Sequence, residues 1–373
     1  MIYKQFKDQK LSALGMGCMR LPQLDKYEQI DIAAVKEMVA YAMDKGINYF
    51  DTAWGYHGGN SEPVMGEVLS AYPRESYHLA SKFPGFNAEN LQKKEEIFEK
   101  QLERCRTDYF DFYLLHSVTD SNVAGYLDPQ YGLIDYLVAQ KQAGRIRHLG
   151  FSCHSSLQTM ERLLDACAQH IDFCQIQLNW LDWELQDAKT KVKILNDRHI
   201  PIWVMEPLRG GSLCQLAPEF ADPLRQLRPG QTMPQWGFRF LESIPGVTMI
   251  LSGMSSFQQI QENIDTFSES APLTAEETNA LFAIAEKITA KNTLACTNCR
   301  YCVDFCPMEL NIPGLIKLYN KHVYDGSAID PVELGEEKHP DDCVSCGACV
   351  KVCPQQIKIP QMMADLNKKL SPA

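Results

Sequence analysis

INYFDTAWGYHGGNSE, residues 47–62, runs from an apolar strand into a turn and then into a helix. The apolar run ends on Asp51. A short glycine-rich turn carrying Tyr56 follows, and Ser61-Glu62 reads as a capped helix start. A carboxylate at the C-terminal end of a strand, with a tyrosine five residues on in the loop, fits the upper rim of an α/β barrel, where strand ends host chemistry. Two later strands end in polar residues in the same manner: HLASKF supplies Lys82 and FDFYLLHS supplies His116.

The same alternation extends in both directions. Residues 2–7 and 11–20 read as a hairpin and a first strand ending in GMGCMRLP, and helical periodicity runs over 32–45. Beyond the helix from Ser61, strands are expected at 77–83, in DYFDFYLLHS, RIRHLGFSCHSS, HIDFCQIQLN, IPIWVMEPL and VTMILSG. Helices are expected over 91–106, 131–143, from a cap at Ser155 or Ser156, over 183–197 and 234–243, and from Ser256 through Ile264. The strands are apolar runs, as parallel strands covered on both faces require. Eight repeats favour a closed (β/α)₈ barrel over an open sheet, and no GxGxxG follows the first strand, which argues against a Rossmann domain. One more helix is expected at 274–289, capped by Thr274 with Glu277 three residues on.

At 373 residues the chain exceeds the roughly 250 of such a barrel. We therefore expect a barrel over 1–290 and a second domain over 291–373, of which residues 363–373 are expected to be mobile. The 45% hydrophobic content supports a large core. A net charge of −11 without a basic stripe argues against nucleic-acid binding. No apolar leader opens MIYKQFKDQK, and no run approaches the ~18 apolar residues of a membrane span. A cytoplasmic protein that engages neither membrane nor nucleic acid is expected. Six of the 14 cysteines are scattered and suit buried packing; eight crowd into two clusters after residue 295.

In its Asp51, Tyr56, Lys82 and His116, four residue types in order on successive strand ends, the chain resembles the aldo/keto reductases over roughly residues 1–290. The resemblance implies reduction of a small-molecule carbonyl by a nicotinamide, with Tyr56 as general acid. A free tyrosine has a pKa of ~10, too high for efficient proton transfer near neutrality. A lysine cation beside it stabilises the phenolate. Lys82 fits that role, Asp51 would orient it, and His116 would align the substrate oxygen. His57 and His154 flank the expected pocket, and Trp54, Tyr56, Trp180 and Trp183 suggest aromatic walls.

The resemblance also implies an NADPH or NADH site. Gly17 and Met19 lie at the end of the first strand, and Asp51 borders the nicotinamide end. Ser152 matches the family's amide-binding serine, although Cys153 stands where an asparagine is usual, and Gln175 matches its amide-binding glutamine. Met205 replaces a tyrosine that stacks on the nicotinamide; Pro207, Leu208 and Gly210 match the pyrophosphate loop. Gly253, Ser255, Gln259, Glu262 and Asn263 match the adenosine end. Ser256 stands where the family commonly places Arg or Lys against the 2′-phosphate, which leaves NADPH and NADH both open.

Cys296, Cys299, Cys302 and Cys306-Pro307 spell C-x₂-C-x₂-C-x₃-C-P, and Cys343, Cys346, Cys349 and Cys353-Pro354 spell it again. Paired CxxC motifs also bind zinc, but the doubled four-cysteine run with proline resembles the two-cluster bacterial ferredoxins. That resemblance implies two [4Fe–4S] clusters, the fourth cysteine of each run serving the other cluster. One cluster would take Cys296, Cys299, Cys302 and Cys353, the other Cys343, Cys346, Cys349 and Cys306. The 36-residue interval between the runs holds a helical stretch at 313–323. A nicotinamide moves two electrons as hydride and a cluster moves one, so coupling them calls for a flavin, bound here or on a redox partner protein. Three functions follow. The chain is a reductase whose clusters are structural or redox-sensing, or a flavin-coupled enzyme, or an electron-transfer protein whose barrel is a docking module.

Overall fold

Strands β1 (Tyr3–Phe6) and β2 (Gln9–Ser12) form an antiparallel hairpin in the computed structural model, which describes residues 1–24, 29–291, 293–326 and 338–370. Eight further strands follow: β3 (Leu14–Gly17), β4 (Tyr49–Asp51), β5 (His78–Phe83), β6 (Phe110–Val118), β7 (Ile146–Cys153), β8 (Phe173–Gln177), β9 (Ile202–Met205) and β10 (Val247–Ser252). They pair in parallel in chain order, and β10 returns to β3 through Ile250↔Leu14, closing the barrel. The expected eightfold alternation is thus a (β/α)₈ barrel.

Helices between the strands start where short polar side chains replace the missing intrahelical partner. Asp31 accepts from the Ala34 N–H ahead of Ile32–Asp44, and Ser156 accepts from Thr159 ahead of Leu157–Cys167. The latter buries Met160, Leu163, Leu164 and Cys167, one stripe at helical spacing. Each such leucine contributes roughly 1.5–3 kcal/mol on burial. Thr232 and Gln235 form a reciprocal capping box before Met233–Glu242, and Thr274 and Glu277 exchange bonds before Ala275–Thr289.

Two expectations need correction. Ser61 does not cap its helix. Asn60 occupies the cap position of Ser61–Leu69, and Ser61, fully buried, turns its hydroxyl to the Cys18 carbonyl. Residues 363–370 are not mobile: Ile359–Leu370 is a helix that buries Met362, Met363 and Leu366. Residues 371–373 lie outside the described ones. A further helix that the periodicity did not predict, Pro218–Leu227, buries Phe220, Ala221 and Leu224 and carries Pro223 inside it.

The chain divides into two compact units. One comprises Met1–Leu208 with Leu213–Thr278; the other comprises Arg209–Ser212 with Asn279 onward. In the first, Phe6 and Leu11 of the hairpin join Tyr49, Phe112, Phe173, Trp203 and other inward residues in a single apolar cluster. The Phe6 ring lies 5.0 Å from that of Trp203, so the hairpin closes the barrel at the opposite end from the strand C-termini. The second unit has its own core, built on Leu310, Ile312, Leu315, Ile316, Ile359 and Met363. No helix among the described residues is long and apolar enough to cross a membrane.

Candidate active site

Alternation along a strand decides what the barrel mouth contains. Tyr49, Ala80, Leu114, Phe173, Trp203 and Leu251 fill the interior. Two residues further along the same faces come Asp51, Lys82, His116, Gln175, Met205 and Gly253. Gly17 and Ser152 stand at the corresponding positions of β3 and β7, in register with neighbours Asp51 and Gln175. The strands are apolar below and turn polar at their last inward position.

Lys82 sits at the centre. Its Nζ donates to Asp51 Oδ1 at 2.5 Å, to the Thr52 carbonyl at 2.8 Å and to the Tyr56 hydroxyl at 3.2 Å. Both side chains of the ion pair are buried. Burial raises the Asp51 carboxyl above its ordinary value, and the Lys82 charge opposes that rise. Tyr56 opens the turn Tyr56–Gly59, in which His57 and Gly58 adopt left-handed backbone angles. The Tyr56 ring stands edge-on to His116, centroids 5.8 Å apart. Burial, then the charge of Lys82, holds the His116 imidazole well below its usual pKa, so the ring is neutral. Its Nδ1 is buried without a hydrogen-bond partner. The structure thus brings the four tetrad residues together.

Other expected contacts fall elsewhere. His57 Nε2 accepts from the Leu21 N–H at 3.1 Å, and its Nδ1 meets the Gln23 amide at 3.2 Å, so it braces the loop after β3. Trp180 is fully buried, and Trp183 packs edge-on against Phe240. Trp54 is stacked under the Arg104 guanidinium, 3.9 Å from its ring centroid. Two residues that sequence reasoning does not single out also shape the site. Phe86, 46% exposed, lies 5.2 Å from the His116 ring and covers it from outside. Glu62 is fully buried behind β5. It accepts from Ser81 Oγ and Gln101 Nε2, both at 2.6 Å, and Gln101 also bonds the Lys82 carbonyl. The signal for Glu62 was its place one turn beyond Tyr56, which the capping interpretation absorbed.

Around the mouth, Ser152 Oγ accepts from the Ser117 N–H at 2.7 Å, which leaves its own hydroxyl proton to donate. Beside it the buried Gln175 Oε1 has no partner. A hydroxyl donor next to an orphaned amide oxygen suits a ligand carboxamide, so the residues fit a nicotinamide. Gly17 and Gly253 keep the β3–β10 edge bare: a Cβ at Gly253 would meet the Arg20 side chain at 3.2 Å, and one at Gly17 the Ser252 carbonyl at 3.4 Å. Met19 lies in the turn Cys18–Arg20; Met205 and Leu208 are half-buried and Pro207 is buried. Gly210, at φ 64, belongs to the segment grouped with the second unit. At the adenosine end, Ser255 donates its N–H to Gln259 Oε1 and its hydroxyl to the Arg20 carbonyl. Ser256 caps Phe257–Thr266, Glu262 accepts from Gln258, and Asn263 is buried and donates to Ser252 Oγ. Gln259 and Asn263 therefore hold the loop itself.

In the second unit the eight clustered cysteines gather around two cavities. One is lined by Cys296, Cys299, Cys302 and Cys353. The other is lined by Cys306, Cys343, Cys346 and Cys349. Each set takes three thiols from one run and the fourth from the other. Among the described residues no three His, Cys, Asp or Glu side chains converge on a point that could hold a single metal ion. Four thiols spread around a cavity suit a cube whose irons each take one thiolate.

Family models match both parts of the chain. The aldo/keto reductase family model matches residues 13–286, and a 4Fe-4S dicluster domain model matches residues 295–357. Probable aldo-keto reductase 1 of Glycine max is 30% identical over 213 residues; the match spans 54% of this chain and little more than half, 57%, of that protein. Uncharacterized oxidoreductase YqkF of Bacillus subtilis is 24% identical over 307 residues, covering 74% of this chain and 92% of its own. Among solved structures, the holo form of an aldo-keto reductase from Bacillus halodurans superposes with a TM-score of 0.64 at 24% identity, over 76% of this chain and 96% of that one.

Proposed function

This chain belongs to the aldo/keto reductase family, and we propose that it reduces a small carbonyl compound with NADPH or NADH, Tyr56 acting as general acid. The observation that carries the proposal is the single buried ammonium of Lys82, shared between Asp51 and the Tyr56 hydroxyl. A reduced nicotinamide, when bound, supplies hydride to the carbonyl carbon. Tyr56 gives its proton to the carbonyl oxygen, and the adjacent ammonium stabilises the phenolate left behind. Asp51 holds Lys82 in place. The neutral His116 ring orients the oxygen by a hydrogen bond without adding a second cation. Ser152 and Gln175 would hold the cofactor's carboxamide.

Tyr56→Phe removes the proton and leaves the ring. Loss of about 10²–10⁴-fold in kcat for carbonyl reduction is expected, with nicotinamide binding kept. Unchanged turnover would refute the assignment.

The second unit is proposed to hold two [4Fe–4S] clusters, each on four thiolates drawn crosswise from the two runs, with 1–290 and 291–373 as the functional modules. A second reading makes the chain an electron-transfer enzyme, and one observation favours it: Phe305 and Val344, 54% and 60% exposed, flank the second cysteine set. A redox partner protein would exchange single electrons there, with a flavin on one of the two proteins converting hydride to single electrons. Anaerobic titration with NADPH and NADH separates the readings. Bleached cluster absorption supports the second; nicotinamide consumed only after a carbonyl is added supports the first. Cytoplasmic residence is part of the proposal, since the described cysteines form no disulfides.

A further inference from the structure

Residues 296–313 recur at 343–360, displaced by 47 positions, and the recurrence extends to the backbone. Asn298 and Ser345 share φ of 53 and 54, Glu309 and Gln356 share 54 and 52, and Arg300 and Gly347 share 67 and 73. The last pair is unequal. One run uses glycine at a left-handed position that favours it; the other holds an arginine there at a conformational cost. Crowding does not dictate the difference, because a Cβ at Gly347 would meet nothing within 4 Å. Arg300 lines the cavity of Cys296, Cys299, Cys302 and Cys353, and Gly347 lines the other.

The two cavities also differ in enclosure. Thr297, beside the first, is 3% exposed, whereas its counterpart Val344 is 60% exposed. Cys299 is half-buried, whereas its counterpart Cys346 is exposed. An enclosed cluster accepts an electron less readily, because the added negative charge is poorly hydrated. Arg300 is exposed at the edge of the first cavity, and a positive charge there attracts that negative charge and opposes the loss.

We propose that Arg300 raises the reduction potential of the enclosed first cluster, offsetting its burial so that an electron entering at the exposed second cluster can pass inward. Arg300 in this view acts on the neighbouring cluster through its charge. The inference rests on reading both cysteine sets as [4Fe–4S] sites.

The test uses the full chain, purified without oxygen, with iron and sulfide counted and both midpoints read by electron paramagnetic resonance in a dithionite titration. Arg300→Gly suits the left-handed backbone, and its iron and sulfide content checks that the unit still assembles. It should lower one midpoint by about 59 mV, a tenfold change in the reduced-to-oxidised ratio, and leave the other unmoved. Arg300→Lys keeps the charge and should retain most of the parent value. Gly347→Arg should raise the midpoint that Arg300→Gly left alone. Midpoints that stay fixed in Arg300→Gly, or that shift together, overturn the role of Arg300, as does an Arg300→Lys value equal to that of Arg300→Gly. A chain holding about four irons instead of about eight overturns the two-cluster reading itself.

Discussion

Replacing Lys82 by methionine tests the centre of the barrel site through stability as well as turnover. The substitution removes the ammonium 2.5 Å from Asp51 Oδ1, while Asp51 Oδ2 is already buried without a partner. The carboxylate is then buried and uncompensated. Removing one member of such a pair costs about 3–5 kcal/mol, part of it as protonation of the orphan. Asp51→Asn combined with Lys82→Met removes both charges and should recover at least about 2 kcal/mol of that loss. The bond from Lys82 to the Thr52 carbonyl is lost in both variants and cancels in the comparison. All five tryptophans lie between residues 54 and 236, within the first unit, so tryptophan fluorescence in a denaturant titration reports barrel unfolding alone. Neither variant should reduce a carbonyl, which separates stability from chemistry. A Lys82→Met barrel within about 1 kcal/mol of the parent, or a double variant no more stable than Lys82→Met, would refute the reasoning.

His116 gives a pH dependence with a definite sign. Its folded pKa is depressed, so its contribution to stability is present above the unfolded value of about 6.5 and is lost as pH falls below it. His116→Gln should flatten the drop in barrel stability between about pH 7 and 5.5 measured by fluorescence; an unchanged slope would exclude it. Gly66→Ala favours the helix intrinsically, yet its Cβ would stand 2.3 Å from the Arg104 carbonyl and 2.7 Å from the Cys105 backbone. We expect a loss of about 1–3 kcal/mol in the same titration, and a stabilised variant would contradict the packing. Ile359 lines both cysteine cavities and is fully buried. Ile359→Ala should cost the second unit about 2–5 kcal/mol, seen as earlier loss of visible cluster absorption in denaturant, while the fluorescence transition stays in place.

Much of the site was legible because period two is strict within a strand. Once Asp51, Lys82 and His116 were seen to end apolar runs, their inward placement followed, and only the tertiary fold was needed to set Tyr56 over them. What escaped did so for identifiable reasons. Glu62 lies on a helix, and its partners Ser81 and Gln101 come from two other elements, so no local pattern marks it. The helix Pro218–Leu227 carries Pro223, which takes away one backbone donor, but Phe220, Ala221 and Leu224 bury enough surface to hold it. The terminal helix was missed by stopping the repeat at the cysteines. Ile312-Pro313 and Ile359-Pro360 stand 47 residues apart like the cysteines themselves, and each pair opens a helix.

The crosswise sharing of cysteines sets an order of assembly during synthesis. The barrel's last strand, β10, ends at Ser252, whereas the first cysteine set waits for Cys353, 101 residues further along. On this pairing a growing chain can close its barrel while neither cluster site is complete. The first three thiols emerge together and stay one ligand short until Cys353 follows. Iron and sulfide would then be loaded onto a chain whose barrel is already closed.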